Sequence, residues 1–458
     1  MRRTVPVLAA LAATLAACSD TPVSPLDSRD PTITVRPEAA ASGVAFVGSS
    51  ADSGPGTLRD AANSSSVRTI VVRRGLGTIV LESPIVFAGG QDLRIDGNGV
   101  TIDGSGVAYT PEAGVTEDAD PSPSALQFTG GGDVAIRDLR VTESTGHGIY
   151  VPVPSSASGR VDVFLTRVVL DDNGLSGLWI DDQLADSDAS VTARLNDVHV
   201  LGNGFRPDVS DYDGVRVNEG GTGSLRIELN RVRAEDNAGD GVEVDETGAG
   251  DVWMWSRLST YDDNGTQPQN PADLEDGLDA DEAGPGSIIA YVQGGTISGN
   301  RDEGFDLDEE GTGDIRAVVV GVTLRGNGDE NVSYTEDEEL EAGGDIVHVF
   351  HNVTSEASEG GDGIKLEDFG PGDLKGTMSN MELNDNDDEG IQYEEVGDGD
   401  LEVRIVDADI EGNGGGGIQV EQLDAGGGVI RLRNVDFDGN GDGPEDDIKD
   451  EGVVVRDW

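Results

Sequence analysis

The sequence predicts an all-β fold, a parallel β-helix (solenoid) of roughly 13 coils, and three observations carry that prediction. Glycine-led runs begin at Gly148, Gly177, Gly214, Gly241, Gly277, Gly304, Gly363, Gly390, Gly417 and Gly452, each continuing apolar, any residue, apolar, then acidic. A degenerate copy with Asn331 in the glycine place fills the gap after Gly304, and no two starts then lie closer than 27 residues. Between the glycines the apolar residues alternate, in segments too short for stable helices. Glycine is abundant, 67 of 458 residues, while aromatics make up 4%, which suits many turns around a narrow aliphatic core.

Arg2 and Arg3 precede an apolar run from Val5 to Ala17, the layout of a secretory leader and too short to span a membrane. The run ends Leu15-Ala16-Ala17-Cys18, which resembles a bacterial lipoprotein box. That resemblance implies cleavage before Cys18, acylation of this single cysteine, and a place at the bacterial outer membrane or cell surface. An ordinary secretory leader with an incidental cysteine is the alternative. Residues 18–42, rich in Pro, Ser, Asp and Ala without periodicity, read as a flexible tether. The β-helix is then expected over 43–458.

Order begins near Val44. Ala51 to Ala61 reads as a turn followed by a short helical segment, and strand-like runs follow at Thr69–Val72, Thr78–Leu81, Leu93–Ile95 and Val100–Ile102. Pro55-Gly56-Thr57-Leu58-Arg59 and Thr101-Ile102-Asp103-Gly104 resemble the N-terminal part of the pectate-lyase-like (pectin lyase-like) right-handed parallel β-helices. The resemblance implies a capping helix over the open end, where strand edges are otherwise unpaired. It also raises calcium-assisted polysaccharide lysis or hydrolysis as an activity.

One full unit runs from Asn237 to Asp263. Val242 and Val244 are expected inward and Glu243 outward, with each coil pairing in parallel with the next at about 4.8 Å. Asparagine recurs four residues before the glycine, at Asn173, Asn237, Asn300, Asn327, Asn386 and Asn413. It is expected to take a left-handed turn conformation and to bond its amide to the neighbouring coil. A second turn carries Gly-x-Gly followed by Asp or Ser. Insertions at Asn203–Gly214, Asn264–Gly277 and Asn440–Gly452 leave from the same corner; either this is the functional face, or the turn simply tolerates growth.

The chain carries 30 basic and 90 acidic residues, a net charge of -60. Nucleic acid and anionic membrane are therefore poor partners, because their phosphates would be repelled, and the membrane is expected only through the Cys18 anchor. Cations are the natural counter-partners. Stacked carboxylates near the glycine strand, represented by Asp245, Asp276, Asp281, Asp308, Glu336, Glu367 and Glu394, are candidate calcium ligands, because calcium accepts several carboxylate oxygens in loose geometry. A merely solvated acidic face is the competing reading.

Trp253 and Trp255, outward between inward Val252 and Met254, form with Tyr291, Arg226 and Arg316 a candidate platform for stacking sugar rings. Against it stands burial of the tryptophans under the 264–277 loop. For catalysis the chain offers Lys365, read as a counter-charge, and weak matches at Arg206-Pro207, Asp276-Gly277-Leu278-Asp279, and His147 with Asp181-Asp182. The expected function is a lipid-anchored, non-catalytic surface β-helix that binds divalent cations, with polysaccharide as a second ligand. The alternative is a calcium-assisted polysaccharide lyase or glycoside hydrolase.

Overall fold

The computed structural model describes residues 43–108, 123–182, 187–206, 212–266, 274–336, 343–423, 425–441 and 447–457. The leader, the tether and Cys18 lie outside the described residues. From Ser42 onward the chain forms one unit, a parallel β-solenoid. One sheet of 13 strands takes a single glycine-led strand from each coil, from Ile85–Phe87 to Ile448–Glu451. A second sheet covers the other two sides, because its longer strands turn a corner on a single left-handed residue. The strand Val252–Asp262 does so at Leu258 (φ 52°), and the same corner recurs at Asn352 and Asp407. Three sides therefore appear as two sheets.

Alternation sorts the side chains as expected. Val242, Val244, Val252 and Met254 are fully buried, and like residues stack on like along the core. At the N-terminal end the helix Leu58–Ala62 begins at Thr57, whose hydroxyl accepts the Asp60 N–H. Leu58 and Ala61 pack into the core, and Arg59 ties the helix to the carbonyls of Ser83 and Pro84.

The recurring asparagines form a buried ladder. Each Nδ2 donates to the Oδ1 of its counterpart one coil on, at 2.9 Å from Asn237 to Asn264, from Asn264 to Asn300, and from Asn300 to Asn327. The left-handed residue is the one before the asparagine, not the asparagine itself: Asp172, Asp236, Asp263 and Asp385 all have positive φ. The ladder also explains the glycines. A Cβ at Gly304 would lie 2.4 Å from Asn327 Nδ2, and one at Gly363 would lie 2.6 Å from Asn386 Nδ2. Glycine in one coil is thus required by asparagine in the next.

Two irregularities of the repeat account for each other. After Asn327 the next ladder position is Ser358, which has no amide. Asn331 meets no clash there, so it replaces glycine and supplies the missing amide. It accepts from Asn327 Nδ2 (2.7 Å) and donates to Asn386 Oδ1 (3.2 Å) and to Ser355 Oγ (3.0 Å). The final copy is also displaced from expectation. Gly452 does not open a glycine-led strand; Ile448 pairs with Ile418 in that sheet, and Val453–Asp457 pairs with Gly428–Leu432 in the other. The glycine place belongs to Asp447, so the last insertion, from Asn440, is five residues shorter than the glycine pattern implied.

A candidate cation site on the glycine-led sheet

Counted from each glycine, the second and fourth residues face outward, and the fifth enters the bend that follows. The second-position row reads Trp179, Arg216, Glu243, Asp279, Asp306, Ser333, Lys365. The fourth-position row reads Asn218, Asp245, Asp281, Asp308, Thr335, Glu367, Glu394. A third row of acids precedes the glycines, and Asp213, Asp240, Asp276 and Asp362 in it each accept the backbone N–H of the counterpart one coil on, as Asp276 does from Glu303 (2.7 Å). Strand geometry alone brings these rows together, with coils about 4.8 Å apart.

At three places the chain seats its own cation among them. Arg216 lies 2.8 Å from Glu243, 3.2 Å from Asp245 and 3.8 Å from Asp213. Lys365 lies 3.5 Å from Glu330 and 3.2 Å from Glu367. Lys449 reaches Glu389 at 3.0 Å and donates to the carbonyl of Gly415. Between Arg216 and Lys365 stands a trio with no such partner. Asp276, Asp279 and Asp306 each offer an oxygen within 4.8 Å of the others, and among the described residues no arginine or lysine is paired with any of them. Asp279 is 9% exposed, and its buried Oδ1 meets no hydrogen-bond donor. Burial raises the carboxyls of Asp276, Asp279 and Asp306 well above the usual range, and the surrounding acids push further. Glu303 beside them is pushed up to about 8, by burial first and by Asp302 second.

Oxygens this close can share one ion, since calcium–oxygen distances of about 2.3–2.6 Å set ligands of one ion no more than about 5 Å apart. Asp276, Asp279 and Asp306 could thus hold a divalent cation, with Asp281 alongside in the fourth row.

The other sequence candidates fall elsewhere. Asp245 is occupied by Arg216 and by the Asn218 amide. Asp308, Glu367 and Glu394 share the rim of a separate cleft. Glu336 does not belong to the fourth-position row at all, where Thr335 stands in its coil. It is a fifth-position residue, fully buried, and accepts the N–H of Gly344 at 2.9 Å. Glu219, Glu246, Glu282 and Glu309 do the same work in the other coils, capping the N–H groups of the Gly-x-Gly turn. Asp279 and Asp306 stand out as a pair only along the aligned second-position row, which changes from arginine to acids to lysine.

Trp253 and Trp255 point outward and are half-buried, their rings 5.9 Å apart at 51°. Arg226 places its guanidinium 3.9 Å from the Trp255 ring centre and is held there by Glu228. Tyr291 pairs beside Trp255 on the next coil, and Arg316, one coil further, is exposed and paired with Asp314. Cover by the 264–277 loop turns on residues 267–273, outside the described residues. His147 is fully buried against Tyr150, Trp179 and Tyr212, and burial depresses it to about 3. Asp181 accepts from the Tyr150 hydroxyl instead.

No family model and no curated protein matches this chain. Among solved structures, it is similar to a periplasmic alginate epimerase, AlgG, at 11% identity over 81% of this chain and 73% of that one, with a TM-score of 0.44. The catalytic domain of a GH87 alpha-1,3-glucanase in complex with nigerose is similar at 11% identity over 93% and 71%, with a TM-score of 0.38. The A-module of the Azotobacter vinelandii mannuronan C-5 epimerase AlgE4 is similar at 14% identity over 87% and 91%, with a TM-score of 0.34. Likeness at this level transfers neither substrate nor chemistry.

Proposed function

We propose that this protein is a non-catalytic, lipid-anchored solenoid, displayed outside the cytoplasm through Cys18, that holds calcium at Asp276, Asp279 and Asp306. One observation carries the reading: the acidic rows receive a built-in cation at Arg216, Lys365 and Lys449, and the trio between the first two is paired with none among the described residues. Like charges at such spacing repel unless protonated or bridged by an ion. In equilibrium dialysis at physiological salt, where surface attraction is screened within about 8 Å, the protein is expected to retain calcium and Asp279→Asn to lose one ion per chain. Equal retention by both would remove the site.

The lyase alternative has chemistry against it. Arg216 and Lys365, the cations bracketing the trio, are each clamped by carboxylates, and those acids hold the Lys365 ammonium charged far above neutral pH. Neither is poised to take a proton. A second ligand is favoured by the outward Trp253–Trp255 pair with Arg226 stacked on it: a polysaccharide lying over Trp253, Trp255 and Tyr291, flanked by Arg226 and Arg316. Trp255→Ala is expected to abolish retention on immobilised glycans that the unaltered chain binds; unchanged retention would rule the platform out.

A further inference from the structure

We propose that two copies of this chain pair through the outward face of the second sheet, with their solenoids antiparallel. The strands from Leu225–Asn230 to Leu401–Glu411 pair in register, so outward residues stand in straight rows along the solenoid. One row runs from Arg226 through Arg316 to Glu402, and the next from Glu228 through Val318 to Arg404. Between those ends the floor includes Trp253, Trp255, Ile289, Tyr291, Val347 and Val349, all half-buried. Among the described residues of these two rows the only acids are Glu228 and Glu402, in a chain of net charge -60. Like charges repel, so a copy can approach its twin closely only where acids are few.

The face is complementary to itself. A second copy turned about an axis along the strand Ile315–Val320 sets each row opposite itself, with the coils in reverse order. Val318 and Val320 then meet their own counterparts, while Tyr291 meets Val349 and Ile289 meets Val347 of the second copy. At the two ends Glu228 meets Arg404, and Arg226 meets Glu402. Both acids of the rows thus land on arginines, twice over by symmetry. Each also has an arginine on its own chain, Glu228 with Arg226 and Glu402 with Arg431, and a carboxylate accepts from more than one. Arg316 falls on its counterpart on the axis, each held by its own Asp314. The coils from Arg226 to Glu402 span about 29 Å. At roughly 20 Å across, pairing covers about 1,200 Å² in total, above the roughly 1,000 Å² expected of a specific interface. It also covers Trp253 and Trp255, so a second copy competes with polysaccharide for that platform.

The test is sedimentation equilibrium of the full chain in detergent at physiological salt, with thermal melting to show that each variant is folded. A monomer–dimer equilibrium with a Kd of about 10 μM is expected. Glu228→Arg sets an arginine against Arg404 of the second copy and should weaken pairing about tenfold. The same change lowers the net negative charge, so a pairing governed by overall repulsion alone would tighten instead. Combining Glu228→Arg with Arg404→Glu exchanges the two charges and should restore the affinity to within about twofold. A chain still monomeric at about 0.1 mM, tighter pairing in Glu228→Arg, or a double variant no tighter than the single overturns the proposal. Glycan retention is read in a separate assay, so a monomer that retains glycan leaves the face to polysaccharide, and a dimer that retains none leaves the pairing standing.

Discussion

Asn331→Gly, the substitution that would make the repeat regular, is expected to destabilise the protein by about 2–3 kcal/mol, the cost of leaving a buried amide group unpartnered. The glycine that every neighbouring coil requires is there to admit the asparagine of the next coil, and the coil after Asn327 offers Ser358 instead. Removing the Asn331 side chain takes the 2.7 Å acceptor from Asn327 Nδ2 and breaks the bridge to Asn386 and Ser355. Gly304→Ala makes the opposite error, driving a Cβ to within 2.4 Å of Asn327 Nδ2 and 2.6 Å of the Asn331 carbonyl, and is expected to destabilise at least as much. Solenoid coils lean chiefly on their neighbours, so hydrogen exchange should show loss of protection concentrated around residues 300–390. Asn331→Gly with an unchanged denaturation midpoint would mean that the amide bridge contributes nothing.

Lowering the pH from 8 to 5 is expected to stabilise the calcium-free protein, the reverse of ordinary acid denaturation. The cause is the file of buried fifth-position carboxyls, of which Glu246 and Glu309 cap Gly-x-Gly turns. Burial, then the neighbouring acids Glu282 and Glu219, pushes Glu246 up from 4.5 to about 10. Burial, then Glu282, pushes Glu309 to about 9, and burial, then Asp368, does the same to Glu395. The folded chain therefore keeps protons that the unfolded chain releases above about 4.5. Their stabilisation is full below that value and falls as pH rises toward 9–10. One net proton held across three pH units is worth about 4 kcal/mol. The sequence contains its own control: Gln422 occupies this position beside Glu395, accepting from Leu401 N and donating to Gly399, as a protonated acid would. Melting in chelator at pH 5 and 8 measures the effect, and Glu309→Gln should reduce it. Higher stability at pH 8 would show that the file is ionised and otherwise compensated.

The coil period and the inward positions were legible in the sequence because alternation and glycine spacing are properties of a single strand and turn. What depended on the next coil was not. Gly452 resembles a strand start in sequence, yet the glycine is a consequence of the following asparagine rather than a marker of the strand; among the described residues no ladder amide lies against Asp447. Glu336 falls outside the fourth-position row for a similar reason. Thr335 holds the outward position in that coil, and an acid one residue later looked equivalent until alternation separated the two. Asp279 and Asp306 were visible one at a time as outward acids. Their significance lay in comparison with Arg216 and Lys365 along the same row, and that comparison needs the register.

The central claim is that the acids around Asp279 lack, among the described residues, the paired cation that Arg216 and Lys365 supply further along the same row. The most direct measurement replaces Asp279 with lysine, Asp279→Lys, and compares thermal melting with calcium and with chelator. The unaltered protein is expected to melt lower in chelator at neutral pH. In Asp279→Lys an ammonium group takes the place that Lys365 occupies in its own coil, so the melting temperature should be the same in both conditions and at least as high as that of the unaltered protein in chelator. A variant that still shifts with calcium as the original does, or an original that shows no shift, contradicts the account.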